Sequence, residues 1–264
     1  MRRGWAAGIL ILVLSTAPAI GKTPPERAVI EPAHIVEAIK LQQEADAAKD
    51  RPPQNGEPWF TVLEGKRPII VTAPHATSPF RDGQYRFSDG GGTAALATML
   101  HQLAGATAIY TTRASPSDPN YEDDNAFKRK LAALIADQRP LLVLDLHGSH
   151  PYRPYDVDFG TLNGASLLGK PWLRQRLEQR LRGQGVLNLS DNYFAASKHQ
   201  TIAKFASRLG VPAIQLEISS TWLTPSDGSL AAHRFSQLLQ ALVRYAREIE
   251  SEATAPQAWL SSSP

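Results

Sequence analysis

Three apolar runs end in groups that can bind a cation or move a proton. "IIVTAPHA" stops at Pro74-His75, "LLVLDLHGSH" (residues 141–150) carries Asp145 and His147, and "VPAIQLEISS" (211–220) carries Glu217. Side chains alternate along a strand, so Asp145 and His147 share a face, as do Gln215 and Glu217. An unpaired buried charge costs several kcal/mol, so these groups must find partners where they lie. Two histidines and a carboxylate converging at one sheet edge suit a divalent metal, zinc above all, with an open position for water. His75 and His147 are the first two expected ligands, and Glu217 is the expected proton carrier beside them.

The third ligand is open on the residues alone. Asp89 stands where a polar loop meets the run "GGGTAALATML", and the loop from His75 would bring it back to the same edge. In that place it could equally be a helix N-cap. Asp82 competes with it, and Asp145 is expected to orient a ligand histidine or to pair with a neighbouring loop. His150 is a substitute ligand. His34, His101, His199 and His233 sit in or at the start of helical stretches and read as surface or packing residues. In "TTRASPSDPNYEDDN" Arg113 follows a strand, and Asp118-Pro119-Asn120 is a turn signal. Arg113 could face an oxyanion and Asn120 a substrate carboxylate, with Arg153 of "PYRPYDVDFGT" a similar candidate and Arg81 a weaker one.

The elements that would position these residues alternate along the chain. Apolar spacing with a Pro in the first turn predicts a helix over 31–49. A turn-rich linker follows, then "WFTVLEGKRPIIVTA", which predicts a hairpin or two adjacent strands. A polar loop leads to a helix ending at Gly105, the strand "ATAIYTT", and a helix over "EDDNAFKRKLAALIADQ" with acids in its first turn. After the strand "PLLVLDLHG", "YDVDFGTL" is an edge or second strand. Two amphipathic helices follow ("KPWLRQRLEQRLRG" and "HQTIAKFASRLG"), then the strand "VPAIQLEISS" and a long helix over 227–250. Strands alternating with helices predict one α/β domain with a mixed, largely parallel sheet, whose chemistry belongs at the carboxyl ends of its strands.

The N-terminus differs in kind. "MRRGW" is a positive n-region and residues 6–20 an apolar h-region short for a bilayer span, so residues 1–21 read as a signal peptide cleaved after "AIG", with "APA" at 17–19 as the second choice of site and an uncleaved membrane anchor as the alternative. The domain is then expected over 22–251, with a disordered tail at 252–264. Export to the periplasm or beyond follows, with no membrane attachment after cleavage. There is no cysteine in the 264 residues, which removes disulfides, thiolate ligands and cysteine nucleophiles together. Arg2 and Arg3 leave with the signal, so the remaining 26 basic residues nearly balance 25 acidic ones and give no reason to expect nucleic acid as a partner.

"PHA" at 74–76, "DGGGTAALA" at 89–97, "SDPN" at 117–120, "DLHG" at 145–148, "YDVDFGT" at 155–161 and "QLEIS" at 215–219, in this order, resemble the N-formylglutamate amidohydrolase family. The likeness covers roughly residues 66–235. It implies a three-layer α/β/α sandwich like that of the zinc carboxypeptidases, with His75, His147 and an acidic residue on zinc and Glu217 as the catalytic glutamate. The carboxypeptidase pattern H-x-x-E is not kept, since Ser78 is the third residue after His75; Asp89 has the helix-start position but stands fourteen residues on. The function implied is hydrolysis of an amide near a carboxylate, in a small N-acyl amino acid or a peptide, with Arg113 at the oxyanion and Asn120 or Arg153 on the carboxylate. The alternative is a non-catalytic binding module of the same fold. A serine hydrolase built on Ser149 lacks the G-x-S-x-G elbow.

Overall fold

The computed structural model of the chain describes residues 26–254. The signal peptide read at 1–21 lies outside them, as does the expected tail from residue 255 onward. Residues 252–254 continue the last helix.

The chain builds a central seven-stranded sheet. Its strands are β1 (Phe60–Leu63), β2 (Ile69–Ala73), β5 (Thr107–Thr111), β6 (Leu142–Ser149), β7 (Val157–Gly160), β8 (Leu189–Asp191) and β9 (Ala213–Ser219). The order is β1-β5-β2-β6-β9-β7-β8. β2 runs parallel to β5 and β6, β6 to β9, and β7 to β8, while β1 against β5 and β7 against β9 are antiparallel. The sheet is therefore mixed and largely parallel. β1 and β2 are not neighbours as the sequence suggested, because β5 inserts between them. β8 was not foreseen and takes the edge outside β7. The loop after His75 holds a further small ribbon, β3 (Phe80–Arg81) with β4 (Gln84–Tyr85).

Helices cover both faces. On one lie α1 (Pro32–Ala48), α2 (Gly91–Ala104), α4 (Trp172–Gly183) and α7 (Gly228–Thr254), which pack on one another. On the other lie α3 (Ala126–Gln138) and α5 (Ile202–Arg208). The short α6 (Ser220–Leu223) follows β9 directly. Two apolar clusters match these layers. The larger joins Val71, Leu144, Leu146, Leu216 and Ile218 to α2 and α7; the smaller joins Ile70, Val143 and Ala213 to Phe127 and Leu131 of α3 and Ile202 of α5. Each fully buried Leu or Ile contributes about 2 kcal/mol of transfer free energy.

The two faces diverge along the strands. On the α2/α7 side every inward residue of β6 stays apolar to the end of the strand. On the α3/α5 side Val143 gives way to Asp145 and His147, Ile70 to Thr72, and Ala213 to Gln215 and Glu217. The register sets Thr72 beside Asp145, Asp145 beside Gln215, His147 beside Glu217 and Glu217 beside Asp158. Paired residues share a face, so a band of polar side chains crosses four strands, at the carboxyl ends of the parallel β2, β6 and β9 and at the amino end of the antiparallel β7. One face of β6 anchors it in the core while the other presents chemistry.

Candidate metal centre

His147 is buried, with 2% of its surface exposed, and both ring nitrogens meet carboxylates. Nε2 lies 3.1 Å from Asp145 Oδ2 and Nδ1 lies 3.0 Å from Asp89 Oδ2. Asp145 is fully buried and held from its other side by Thr72, whose hydroxyl donates to Oδ1 at 2.5 Å. His75 follows the carboxyl end of β2. Its Nε2 lies 2.6 Å from Asp118 Oδ1, and its Nδ1 lies 3.9 Å from Asp89 Oδ2. The two imidazoles meet edge to face, with ring centroids 4.9 Å apart.

Each histidine therefore has its Nε2 on a buried carboxylate and turns its Nδ1 toward one shared acid, Asp89. A carboxylate on the far nitrogen fixes the orientation of a metal-binding imidazole and raises its basicity. Ligating atoms of His75, Asp89 and His147 lie within 4.8 Å of one another, a cluster that could hold a metal ion. Two imidazole nitrogens and one carboxylate oxygen are a donor set that suits zinc. The residues present thus fit the group.

Asp89 reaches the cluster because it is not the cap of α2. The N-cap is Gly90, and the Asp46 side chain of α1 accepts from the Gly91 N–H at 2.8 Å. The Asp89 backbone is drawn in by its own N–H, which donates to the His75 carbonyl at 2.8 Å. Gly148 makes room: a Cβ there would stand 3.0 Å from both the Cβ and the carbonyl oxygen of Asp89.

The electrostatics follow from burial and charge. Burial pulls the His147 imidazole down, but Asp145 and then Asp89 outweigh it and hold the ring well above its ordinary value. His75 is likewise depressed by burial and raised overall by Asp118. The Asp118 carboxyl, pushed up by burial, is lowered to about 2 chiefly by the His75 ring. The surrounding carboxylates thus favour the charged form of both imidazoles over the neutral one. Glu217 behaves differently. Burial pushes its carboxyl up to about 7, against the opposing pull of the two histidines. Its Oε1 accepts from Gln215 Nε2 at 2.8 Å.

Other expected residues fall elsewhere. Arg113 does not face the cluster: its guanidinium forms an ion pair with Glu57 at 2.7 Å and donates to the Thr112 carbonyl. The reason is backbone anchoring, since the Arg113 carbonyl accepts from Thr77 Oγ1 and its N–H donates to Trp59. Asp82 sits in the β3–β4 turn, more than half exposed, with Arg81 at 3.6 Å. Asn120 is close to the site, but its carbonyl oxygen accepts from the Ile202 N–H and its amide lies 3.5 Å from Gln215 Oε1. It braces Gln215 and the start of α5. His150 stacks between Phe87 and Tyr152. The Ser149 hydroxyl pairs with Tyr155, at 2.9 Å, and not with a histidine. Arg153 lies half-buried over Tyr152, Tyr193 and Phe194. Asp118, read in the sequence only as part of a turn, is the residue that orients His75. The signal for it was an acid in a turn that must return to the sheet edge, which many surface turns share.

No protein-family model matches the chain, and no curated protein sequence matches it. Solved structures do. A gene product of Agrobacterium tumefaciens superposes with a TM-score of 0.53 at 13% identity, over 77% of this chain and 100% of its own. N-formylglutamate amidohydrolase from Ralstonia eutropha JMP134 superposes with a TM-score of 0.51 at 15% identity, over 73% of this chain and 97% of its own. The fold is shared. It is the fold that the resemblance in the sequence implied. Porphyromonas gingivalis glutaminyl cyclase shares it too, with a TM-score of 0.53 at 12% identity over 84% of this chain and 100% of its own. A hydrolase and a cyclase on one architecture mean that the reaction must be argued from the site.

Proposed function

We propose that the protein is an exported zinc-dependent amidohydrolase that cleaves an amide bond near a carboxylate, as in an N-acyl amino acid or a peptide. The observation that carries this reading is the pair of histidines, each held by a buried carboxylate, with Glu217 in register beside one of them. His75, Asp89 and His147 would hold the zinc, which supplies a Lewis acid for the amide carbonyl and acidifies water. Glu217, half-buried and raised to about 7, is suited to take a proton from the attacking water and hand it to the leaving nitrogen. Gln215 fixes the carboxylate for that transfer, and Asn120 steadies Gln215. Arg153, with no carboxylate paired to it among the described residues, is available for an acid on the substrate.

The amidohydrolase named above is what this chain is similar to in fold, and the ordered motifs extend that likeness into the site. Export is supported by the positive n-region and apolar h-region. N-terminal sequencing of protein recovered outside the cytoplasm would find Lys22 first.

The reaction is tested by hydrolysis of a panel of N-acyl amino acids and short peptides before and after chelation. Turnover that chelation abolishes and zinc restores is the expected result. One bound zinc with no turnover on any amide would leave a binding module in its place.

A further inference from the structure

Every exposed Phe and Tyr among the described residues comes from three segments: Phe80, Tyr85 and Phe87 from the loop before Asp89, Tyr152 from the loop after β6, and Tyr193 from the loop after β8. They are not scattered, as isolated surface rings would be. Phe87 stacks on His150 at 5.7 Å and 20°, and His150 stacks on Tyr152 at 4.9 Å and 19°. The Arg153 guanidinium continues the series, 5.4 Å from the Tyr152 ring, 5.8 Å from Tyr193 and 4.9 Å from Phe194.

Both ends of this ladder are tied to the metal cluster. Phe87 is two residues before Asp89. At the other end the Tyr193 and Phe194 N–H groups donate to the buried Asp158 carboxylate at 3.1 and 2.8 Å, and Asp158 faces Glu217 across β7 and β9. The ladder thus runs from the segment that carries Asp89 to the strand pair that carries Asp158 and Glu217. Arg153 is its distinctive member. Among the described residues its guanidinium donates only to the Tyr193 hydroxyl, at 3.4 Å, and no carboxylate pairs with it. Arg174, Arg180 and Arg182 all pair with acids. A planar cation held among rings and left without an acid is a ready receptor for a ligand carboxylate.

We propose that this aromatic ladder with Arg153 binds an acidic peptide beyond the scissile amide, so that the substrate is an extended chain and not a single acylated amino acid. The proposal rests on the amidohydrolase reading of the adjoining cluster. Flat ring faces suit the planar amides of a peptide, and the guanidinium suits a side-chain carboxylate. A neutral glycan would use the rings and leave the cation unused.

The test is calorimetric binding to the zinc-loaded Glu217→Gln chain. The probes are N-acetylglutamate and α-linked glutamyl peptides of two, three and four residues. Affinity should climb about tenfold from one residue to four, the size of one or two contacts of this kind. Tyr152→Ala, at an exposed position, and Arg153→Gln, at a half-buried one, should each flatten the climb. Affinity independent of length, an unchanged climb in both variants, or the same climb with neutral N-acetylglucosamine oligomers would overturn the proposal. Wild-type turnover separates the two claims. Turnover of N-acyl amino acids with no length effect in binding sinks the ladder alone; length-dependent binding with no turnover sinks the hydrolase reading alone.

Discussion

The metal cluster has two halves that are built differently. One is borne on strands: Asp145 and His147 on β6 and Glu217 on β9 take their places from sheet register. The other is borne on loops: His75, Asp89 and Asp118 follow or precede strands and helices and are held by individual hydrogen bonds. The β6 pair is deeply buried, with Asp145 at 0% and His147 at 2% exposure, while the ligand candidates on loops, His75 and Asp89, keep side chains 18% and 12% exposed; Asp118 behind His75 is as buried as the β6 pair, and Glu217 is half-buried. Register fixes directions rigidly but cannot close a ring of ligands. The loops close it, and they can do so only where a glycine lets them approach the strand.

This contrast is sharpest in stability. His147→Ala should destabilise the metal-free protein by about 3–5 kcal/mol, because it strands the buried Asp145 carboxylate. His75→Ala should cost less, about 1–3 kcal/mol, since Asp118 keeps Arg81 and the Asn120 N–H as partners. Both variants should lose the metal. Denaturant unfolding in the presence of chelator measures the difference, and equal losses would erase the distinction between the halves.

Gly148→Ala attacks the seam between them. The added methyl would press on Asp89, for about 1–3 kcal/mol of stability, together with weaker metal binding. If binding is unchanged, the close approach of loop and strand is not what seats Asp89.

Asp118→Asn and Asp145→Asn remove the charge behind each histidine. Metal affinity should fall about 10- to 100-fold in each, read by competition with a zinc indicator.

The smallest effect is with pH. Both histidines have raised folded values, so their contribution to metal-free stability is fully present below the ordinary value of 6.5 and is lost as pH rises through the raised one. Protons and metal compete for the same nitrogens. The stabilisation that zinc produces, read by denaturant unfolding, should therefore grow from pH 6 to pH 8, by about one or two kcal/mol. A stabilisation that shrinks over that range would contradict the raised values of the two histidines.

The same two halves explain what the sequence could tell. Alternation within "LLVLDLHG" and "IQLEIS" carries the strand half almost directly, because a period of two dictates which side chains share a face. Asp145 behind His147 was readable for that reason. The loop half depends on where the chain returns in space. Asp89 stayed ambiguous with an N-cap until Asp46, forty-three residues earlier, was seen to take the Gly91 N–H. Asp118 looked like an ordinary turn. The position of Arg113 after a strand says nothing of which way its side chain leaves the backbone, so its ion pair with Glu57 is not legible in the sequence. Strand order is equally nonlocal: nothing in "WFTVLEGKRPIIVTA" states that β5 will separate β1 from β2.

The most direct test of the metal centre is a zinc-edge anomalous difference map from crystals of the zinc-loaded chain. One peak is expected, about 2.0–2.2 Å from a nitrogen of His75, a nitrogen of His147 and a carboxylate oxygen of Asp89. No peak after zinc loading, or a peak on other residues, would contradict the account.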